Sequence, residues 1–579
     1  MKRLLKYLKE YRRESILAPL FKMLEASFEL FVPLVMAQII DVGIRDQNGS
    51  YIVKMGGLLL LLAAIGLTCS LTAQYFAAKS AVGVSTALRR DLFKHIGMLS
   101  YSEQDTMGTA TLITRMTSDI NQVQNGVNLV LRLFLRSPFI GAMVMAFTVN
   151  VKAALVFVVA IPALSVVVFG IMLVSMPLYK KVQRQLDSVT RSTRENLTGV
   201  RVIRAFNRQE DEIKNFDQEN SLLVDMQIFV GKISAMMNPV TYVIINGATI
   251  AIVWIAGKQV NQGIITQGQT VALVNYMSQI LVELIKMANL IVSISKALAC
   301  ANRVNKVFDT ESSIKEVPNA KTADSAKSEG NPVDAVVFNH VDFAYKNAKE
   351  DSLTDINLTV KRGQTIGVIG GTGSGKSSLV NLIPRFYDVR QGSVSIDGVD
   401  VREYALKDLR DRIGVVPQKA VLFEGTLREN MRWGKKDATD EEIYRALDIA
   451  QAREFVDGKG KGLNLFIEQN GRNLSGGQRQ RLTIARALVR NPEILIMDDS
   501  ASALDFATDA KLRHAIRENT DGMTVFIVSQ RATTIKNADQ IVVLDDGKMA
   551  GCGTHAELLE SCEIYKEICL SQLSKEEVK

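Results

Sequence analysis

The sequence predicts a two-part chain: an α-helical six-span membrane domain followed by an α/β domain of the P-loop, nucleotide-binding kind. Three observations carry that prediction. Long runs without charge fill the first half, a linker poor in periodicity follows, and short β-type runs alternating with helical stretches fill the second half. One of those runs feeds a glycine-rich G-x-x-x-x-G-K-S loop. The chain has 579 residues, 47% of them apolar, and a mean hydropathy of +0.10, which is high for a protein with no membrane contact.

The membrane reading begins with two segments. Met55–Ala78 and Ala153–Met176 contain no charged residue, and each is longer than the ~20 residues that cross the hydrocarbon core as a helix. Six spans are predicted, at 16–44, 55–82, 127–149, 153–176, 233–257 and 268–294. Lys22, Glu25 and Glu29 interrupt the first, and Glu283 with Lys286 sits in the sixth. Charges at such depth face a cavity, a partner helix or the membrane boundary. Glu283 and Lys286 therefore have two readings, a structural pair three residues apart or a substrate contact. Asn246, Tyr276, Gln279 and Glu283 are the candidates for facing a cavity. Met1–Glu14 places Leu4, Leu5, Tyr7, Leu8 and Tyr11 at near-helical spacing among basic residues, as in a helix lying on a membrane surface.

Spans 2–3 and 4–5 are joined by long, charged, helical connections and the other spans by short ones. The net charge of +8 gathers at Lys2–Arg13, at Arg89, Arg90 and Lys94, and from Lys180 to Lys214. The positive-inside rule then puts the long connections and both termini on the cytoplasmic side of the cell membrane. The same placement disfavours nucleic acid as a partner. The five cysteines are odd in number and scattered, with no CxxC pair, which fits a reducing cytosol for the polar half. The expected division is 1–14 surface helix, 15–300 membrane domain, 301–333 linker, 334–572 nucleotide-binding domain and 573–579 tail.

Strands are predicted at Ala335–Phe338, Thr365–Ile369, Ser393–Ile396, Gly414–Val416, Ile494–Met497, Thr524–Val528 and Gln540–Leu544, forming a largely parallel sheet. The loop after the second of these reads Gly370, Gly371, Thr372, Gly373, Ser374, Gly375, Lys376, Ser377, Ser378. Its glycines let backbone N–H groups curl around a β-phosphate, and the following helix start adds a favourable dipole. Lys376 suits the β- and γ-phosphates of ATP, and the Ser377 hydroxyl suits Mg²⁺. Ile494–Met497 is an apolar strand that ends on Asp498, a second carboxylate-bearing element for the magnesium shell.

Leu474, Ser475, Gly476, Gly477 and Gln478 stand about twenty residues before that strand. At this point the chain resembles the ABC ATPase family, whose signature is LSGGQ. The resemblance implies that Tyr345 stacks on adenine, that Gln418 belongs to a Q-loop joining Ser377 and Asp498 at the metal, and that Ser502, Ala503, Leu504 and Asp505 form a D-loop. The membrane half resembles the type IV (type I exporter) fold of half-transporters. Leu112–Asp119 resembles that family's first intracellular loop, and Glu195–Asn207 the second, which in the family reaches the partner subunit. The starting point of the chain leaves no peptidase domain ahead of the first helix, and the predicted spans exclude a DNA-repair ATPase.

Two positions depart from the family. Asp499 stands where the family has the Glu that polarises the attacking water, and Gln530 where it has a switch His. Gln469 also replaces a Glu just before the signature. With these changes the chain resembles the degenerate-site subunit of heterodimeric bacterial multidrug exporters. The resemblance implies that it lends its signature to a partner half-transporter carrying the Glu and His, and exports drug-like or lipid-like amphipathic substrates across the bilayer. The alternative is a homodimeric lipid flippase or multidrug exporter that tolerates Asp499 and Gln530.

Overall fold

A computed structural model of the chain describes residues 2–133, 138–317, 320–321, 334–346, 348–500, 503–520 and 522–572. Two compact units emerge. The first comprises Met1–Gly97 and Ala110–Thr310; the second comprises Met98–Thr109 and Glu311–Lys579.

The first unit is helical. A short α1 (Lys2–Glu10) ends at Tyr11, and α2 (Arg12–Gln38) runs into a π-helical turn, Ile39–Ile44. Next come α3 (Gly49–Met98), α4 (Tyr101–Met107), α5 (Thr109–Thr114), α6 (Ile120–Leu133) and α7 (Pro138–Val149). The remainder are α8 (Val151–Thr198), α9 (Val200–Ala205), α10 (Gln209–Ala235), α11 (Met237–Asn261) and α12 (Gln267–Asp309). Of these, α4 belongs to the second unit. At 1.5 Å per residue the 50 residues of α3 reach about 75 Å and the 48 of α8 about 72 Å. Both far exceed a hydrocarbon core of about 30 Å, so each has a long polar extension.

Five helices among the described residues are long and apolar enough to cross a membrane, not the six expected. The difference lies at the predicted third span, 127–149. Its residues divide between α6 and α7, neither of which reaches eighteen residues, and 134–137 lie outside the described residues. Pro138 opens α7, a first-turn position where a missing N–H and a fixed φ cost little.

The core of this unit is built on small residues. Ala142, Ala146, Ala153, Ala154 and Ala272 let the helices approach closely around Phe157, Leu273, Tyr276 and Met277. Tyr276 is fully buried, and its hydroxyl donates to the Leu30 carbonyl at 2.7 Å. It is a packing residue and not the cavity-facing one expected, since a buried phenol needs an acceptor and α2 supplies it. Asn246 is exposed and Gln279 half-buried. Lys286 donates to Glu283 at 2.8 Å, the structural alternative of the two readings.

The expected linker also starts too early. Residues 301–309 are the last turns of α12, where Cys300, Ala301, Val304 and Val307 bury one face at helical spacing. Residues 318–319 and 322–333 of the linker, and the 573–579 tail, lie outside the described residues.

The second unit holds two main sheets and a short two-stranded pair. Its first strands are β1 (Asp334–Phe343), β2 (Leu353–Lys361), β3 (Thr365–Gly370), β4 (Gln391–Ile396), β5 (Val399–Asp400) and β6 (Ile413–Val416). They are followed by β7 (Gly425–Thr426), β8 (Phe466–Ile467), β9 (Ile494–Asp498), β10 (Thr524–Val528), β11 (Gln540–Asp545) and β12 (Lys548–Gly553). Six of them form one sheet in the order β12-β11-β3-β10-β9-β6. All neighbours in it are parallel except the β11–β12 edge. The interior strands β9 and β10 are buried at every position, as strands covered on both faces must be. A separate antiparallel sheet runs β2-β1-β4-β5, and β7 pairs with β8. The largely parallel sheet expected is therefore one of two main sheets.

Candidate nucleotide site

The phosphate loop leaves the carboxyl end of β3, in the middle of the parallel sheet, and turns into the helix Lys376–Leu382. Two glycines make the turn possible. Gly373 and Gly375 have φ of +86° and +95°, a region that L side chains rarely adopt. A Cβ on Gly375 would also lie 2.7 Å from the Ser352 carbonyl oxygen.

Lys376 is buried, and its Nζ donates to the Gly370 carbonyl at 2.9 Å, the Gly371 carbonyl at 2.5 Å and the Ser374 hydroxyl at 3.4 Å. Burial pulls its pKa below the usual lysine value, against the attraction of Asp499 and Asp498. The ammonium thus sits folded onto its own loop, held by acceptors that a phosphate oxygen can replace. One residue on, Ser377 Oγ donates to Asp498 Oδ1 at 2.9 Å. Asp498 ends β9 and is buried. Burial raises its pKa, Ser377 opposes the rise, and the neighbouring Asp499 carboxylate adds to it. A hydroxyl and a carboxylate meeting at the phosphate loop are hard oxygen donors of the kind Mg²⁺ prefers.

Asp499 stands on a φ of +46° and its N–H donates to the Val528 carbonyl at 3.0 Å. Gln418, exposed beyond the end of β6, donates from Nε2 to Asp499 Oδ2 at 3.5 Å. The structure therefore brings Lys376, Ser377, Gln418, Asp498 and Asp499 to one place. Gln530 is exposed, and its backbone carbonyl accepts from Gln572 Nε2 at 2.8 Å, while Gln572 Oε1 accepts from the Ala532 N–H at 2.9 Å. One amide of the C-terminal helix Glu563–Gln572 thus brackets the segment that carries Gln530.

Tyr345 is 36% exposed, with its hydroxyl 3.0 Å from Ser378 Oγ. Phe343 and Tyr387 meet it edge-on, at ring separations of 4.8 and 5.2 Å. Tyr387 in turn touches α4. Its hydroxyl donates to Asp105 at 2.7 Å, and Tyr101 lies 6.2 Å from it and 4.7 Å from Phe386. Glu103 of α4 is buried; it accepts from Ser100, from the Ser313 N–H at 3.2 Å and from Lys346 at 3.4 Å. Burial works to raise the Glu103 carboxyl, yet the Ser100 hydroxyl, the Ser313 amide and Lys346 together hold it below the usual carboxylate range. Tyr387, Gln572 and α4 lie in no motif, and nothing in the sequence pointed to them. The expected first loop at Leu112–Asp119 is displaced accordingly: Tyr101–Met107 folds with the second unit, whereas Asp119 is buried in the first, accepting from Arg115 at 2.8 Å and Arg303 Nε at 2.9 Å.

The signature residues lie at a helix start, Gly476–Val489. Ser475 Oγ accepts from the Gln478 N–H at 3.3 Å and Gln478 Oε1 accepts from the Ser475 N–H at 3.0 Å, a capping box. Leu474 is buried, Gly476 has open space above it, and Gly477 packs beneath the Ala503 carbonyl. Leu504 is buried, and Asp505 caps the next helix by accepting from the Thr508 N–H at 3.1 Å. Ser502 lies outside the described residues.

A phosphate loop beside a strand-end carboxylate, on a chain whose described residues include five membrane-length helices, defines a membrane-anchored nucleotide-hydrolysing machine. Comparison narrows the class. Residues 15–284 match the family model described as the ABC transporter transmembrane region, and residues 353–502 match the model described as ABC transporter. The chain belongs to the ABC transporter family. It is 35% identical to an uncharacterized ABC transporter ATP-binding protein of Mycobacterium tuberculosis, over 98% of this chain and 97% of that one. It is also 35% identical to another from Bacillus subtilis, over 100% and 99%. The ATP-dependent lipid A-core flippase of Desulfotalea psychrophila is 34% identical over 82% of each chain. A bacterial Atm1-family ABC exporter with ATP bound shares the fold, with a TM-score of 0.78 over 97% of this chain and 99% of that one at 23% identity. The chain is thus an ABC half-transporter of the exporter fold, a multi-pass membrane protein with an ATPase domain that drives transport.

Proposed function

We propose that this chain is one half of a heterodimeric exporter, spanning the membrane six times with cytoplasmic termini. In this reading it binds ATP at a slow site of its own and lends Leu474–Gln478 to its partner's faster one. The observation that carries the reading is Asp499. Its carboxylate is one methylene shorter than Glu, so the group that should polarise the attacking water reaches less far by about one C–C bond. Gln530 cannot take or give a proton as His does. Loss of a positioned base costs about 10²–10⁴ in rate.

The binding parts are intact by contrast. Tyr345 offers a half-open ring for adenine, the backbone of Gly370–Ser378 cradles phosphates, and Lys376 exchanges loop carbonyls for phosphate oxygens. Ser377, Asp498 and Gln418 would hold Mg²⁺, which neutralises phosphate charge as the bond to the γ-phosphate breaks. A partner is supported by the turn between α8 and α10: Leu197, Val202 and Phe206 stand 72%, 60% and 74% exposed, three apolar side chains gathered at one turn.

Affinity purification of the tagged chain from its native membrane tests the reading. A second half-transporter carrying Glu and His at the two positions should co-purify, and the chain alone should turn over ATP at a small fraction of the pair's rate. A stable homodimer with full transport-coupled turnover contradicts it and supports the homodimeric alternative.

A further inference from the structure

We propose that a cavity among α8, α10, α11 and α12 binds an anionic phospholipid, with its phosphate drawn to Lys180 and Lys296. The site deepens the exporter reading by naming the class of amphipath, and rests on it. The cavity has a volume of about 830 Å³ and lies wholly within the membrane unit. Val168, Met172, Met176, Ile285 and Val292 give it an apolar wall suited to acyl chains, and methionines adapt to irregular shapes.

Charge selects the headgroup. Lys180 and Lys296 line the cavity, and no acidic residue does among the described residues. The charge-free run of α8 ends at Tyr179, directly before Lys180, and Lys296 is the one charge between Met287 and Asn302 of α12. Both ammonium groups therefore border apolar wall, where a lysine stem lies along acyl chains while its charge reaches for a phosphate.

An independent observation comes from Ser175, which also lines the cavity. Serine and threonine in these long helices usually donate back to the carbonyl four residues earlier, as Thr68, Ser293 and Ser295 each do at 2.9 Å. Ser175 is 6% exposed and its hydroxyl has no hydrogen-bond partner among the described residues. A buried hydroxyl left so is costly, and a phosphate or ester oxygen in the cavity satisfies it. A cationic or neutral apolar ligand would leave both lysines and this hydroxyl without a counterpart.

The test is lipid retention by the full chain, purified into micelles holding equal phosphatidylglycerol and phosphatidylcholine and read by native mass spectrometry. The unaltered chain should retain phosphatidylglycerol roughly thirtyfold over phosphatidylcholine, on about 1 kcal/mol for each of the two basic side chains. Lys180→Gln with Lys296→Gln should bring the ratio near one. Lys94→Gln with Lys214→Gln, equal in charge but not lining the cavity, should keep the preference. No preference in the unaltered chain, or equal loss in both double variants, overturns the site. Should the first double variant fail to fold, Lys296→Gln alone should still lower the ratio a few-fold, and an unlowered ratio overturns the site equally. ATP binding measured on the same unaltered sample separates the two proposals. A chain that binds ATP without lipid preference sinks only the lipid site, and one that prefers the anionic lipid without binding ATP sinks the ATPase reading.

Discussion

Replacing Gln572 by Ala should loosen the segment that carries Gln530. The Gln572 amide makes two hydrogen bonds to that segment's backbone, donating to the Gln530 carbonyl at 2.8 Å and accepting from the Ala532 N–H at 2.9 Å. Each is worth about 0.5–1.5 kcal/mol net. The Gln530 side is exposed and takes the lower value, because water replaces the lost donor. Ala532 is fully buried, so its N–H loses an acceptor that water reaches poorly and takes the upper value. The sum is about 2 kcal/mol, a factor of roughly 30 in the opening equilibrium. Hydrogen exchange of the amides from Ser529 to Ala532 should therefore speed up about 30-fold, with the interior of β10 unchanged. Gln572→Glu keeps the acceptor for Ala532 but sets a carboxylate against the Gln530 carbonyl, so it should fall between the two. Unchanged exchange in Gln572→Ala rules out the clamp.

Three further outcomes follow from the same geometry. Glu103 has a depressed pKa, so it contributes stability above the unfolded carboxyl value of about 4.3 and loses it only as pH falls through the folded one. Protection of the 98–109 amides, taken relative to their intrinsic exchange rate at each pH, should accordingly hold from pH 7 to about 4.3 and fall below, whereas Glu103→Gln should show weak protection at all these values. Ser377→Ala removes the hydroxyl that meets Asp498 at 2.9 Å; ATP affinity should lose most of its dependence on Mg²⁺ while binding in the presence of a chelator stays near that of the unaltered chain, as titration with a fluorescent ATP analogue would report. Gly375→Ala forces a side chain into φ +95° and against the Ser352 carbonyl; it should cost about 1–3 kcal/mol, visible as a lowered Tm of the second unit and as weakened ATP binding.

Local features were the legible ones. The phosphate loop, Asp498 and the signature are contiguous strings whose chemistry is complete within a few residues, and the charge-free runs announce α3 and α8 directly. What escaped depends on partners distant in sequence. Tyr276 reads as a polar residue on an apolar helix until the Leu30 carbonyl of α2 is placed beside it. Residues 301–309 look polar enough for a linker, because their buried face is only Ala301, Val304 and Val307, continuing from Cys300. Tyr387 and Gln572 carry no motif, since each acts through contacts with a segment far along the chain. Strand β2 goes unpredicted although its buried and exposed positions largely alternate, because Thr354, Asp355, Asn357 and Thr359 dilute its apolar positions.

A slow site of the kind proposed has its turnover held down by Asp499 and Gln530, with the nucleotide-binding parts left competent. Steady-state ATP hydrolysis by the purified chain, set beside that of Asp499→Glu combined with Gln530→His, puts this to the test. The double variant should raise kcat by about 10²-fold or more with little change in KM. Equal kcat in the two chains would leave Asp499 and Gln530 as tolerated substitutions and remove the ground for an unequal pair.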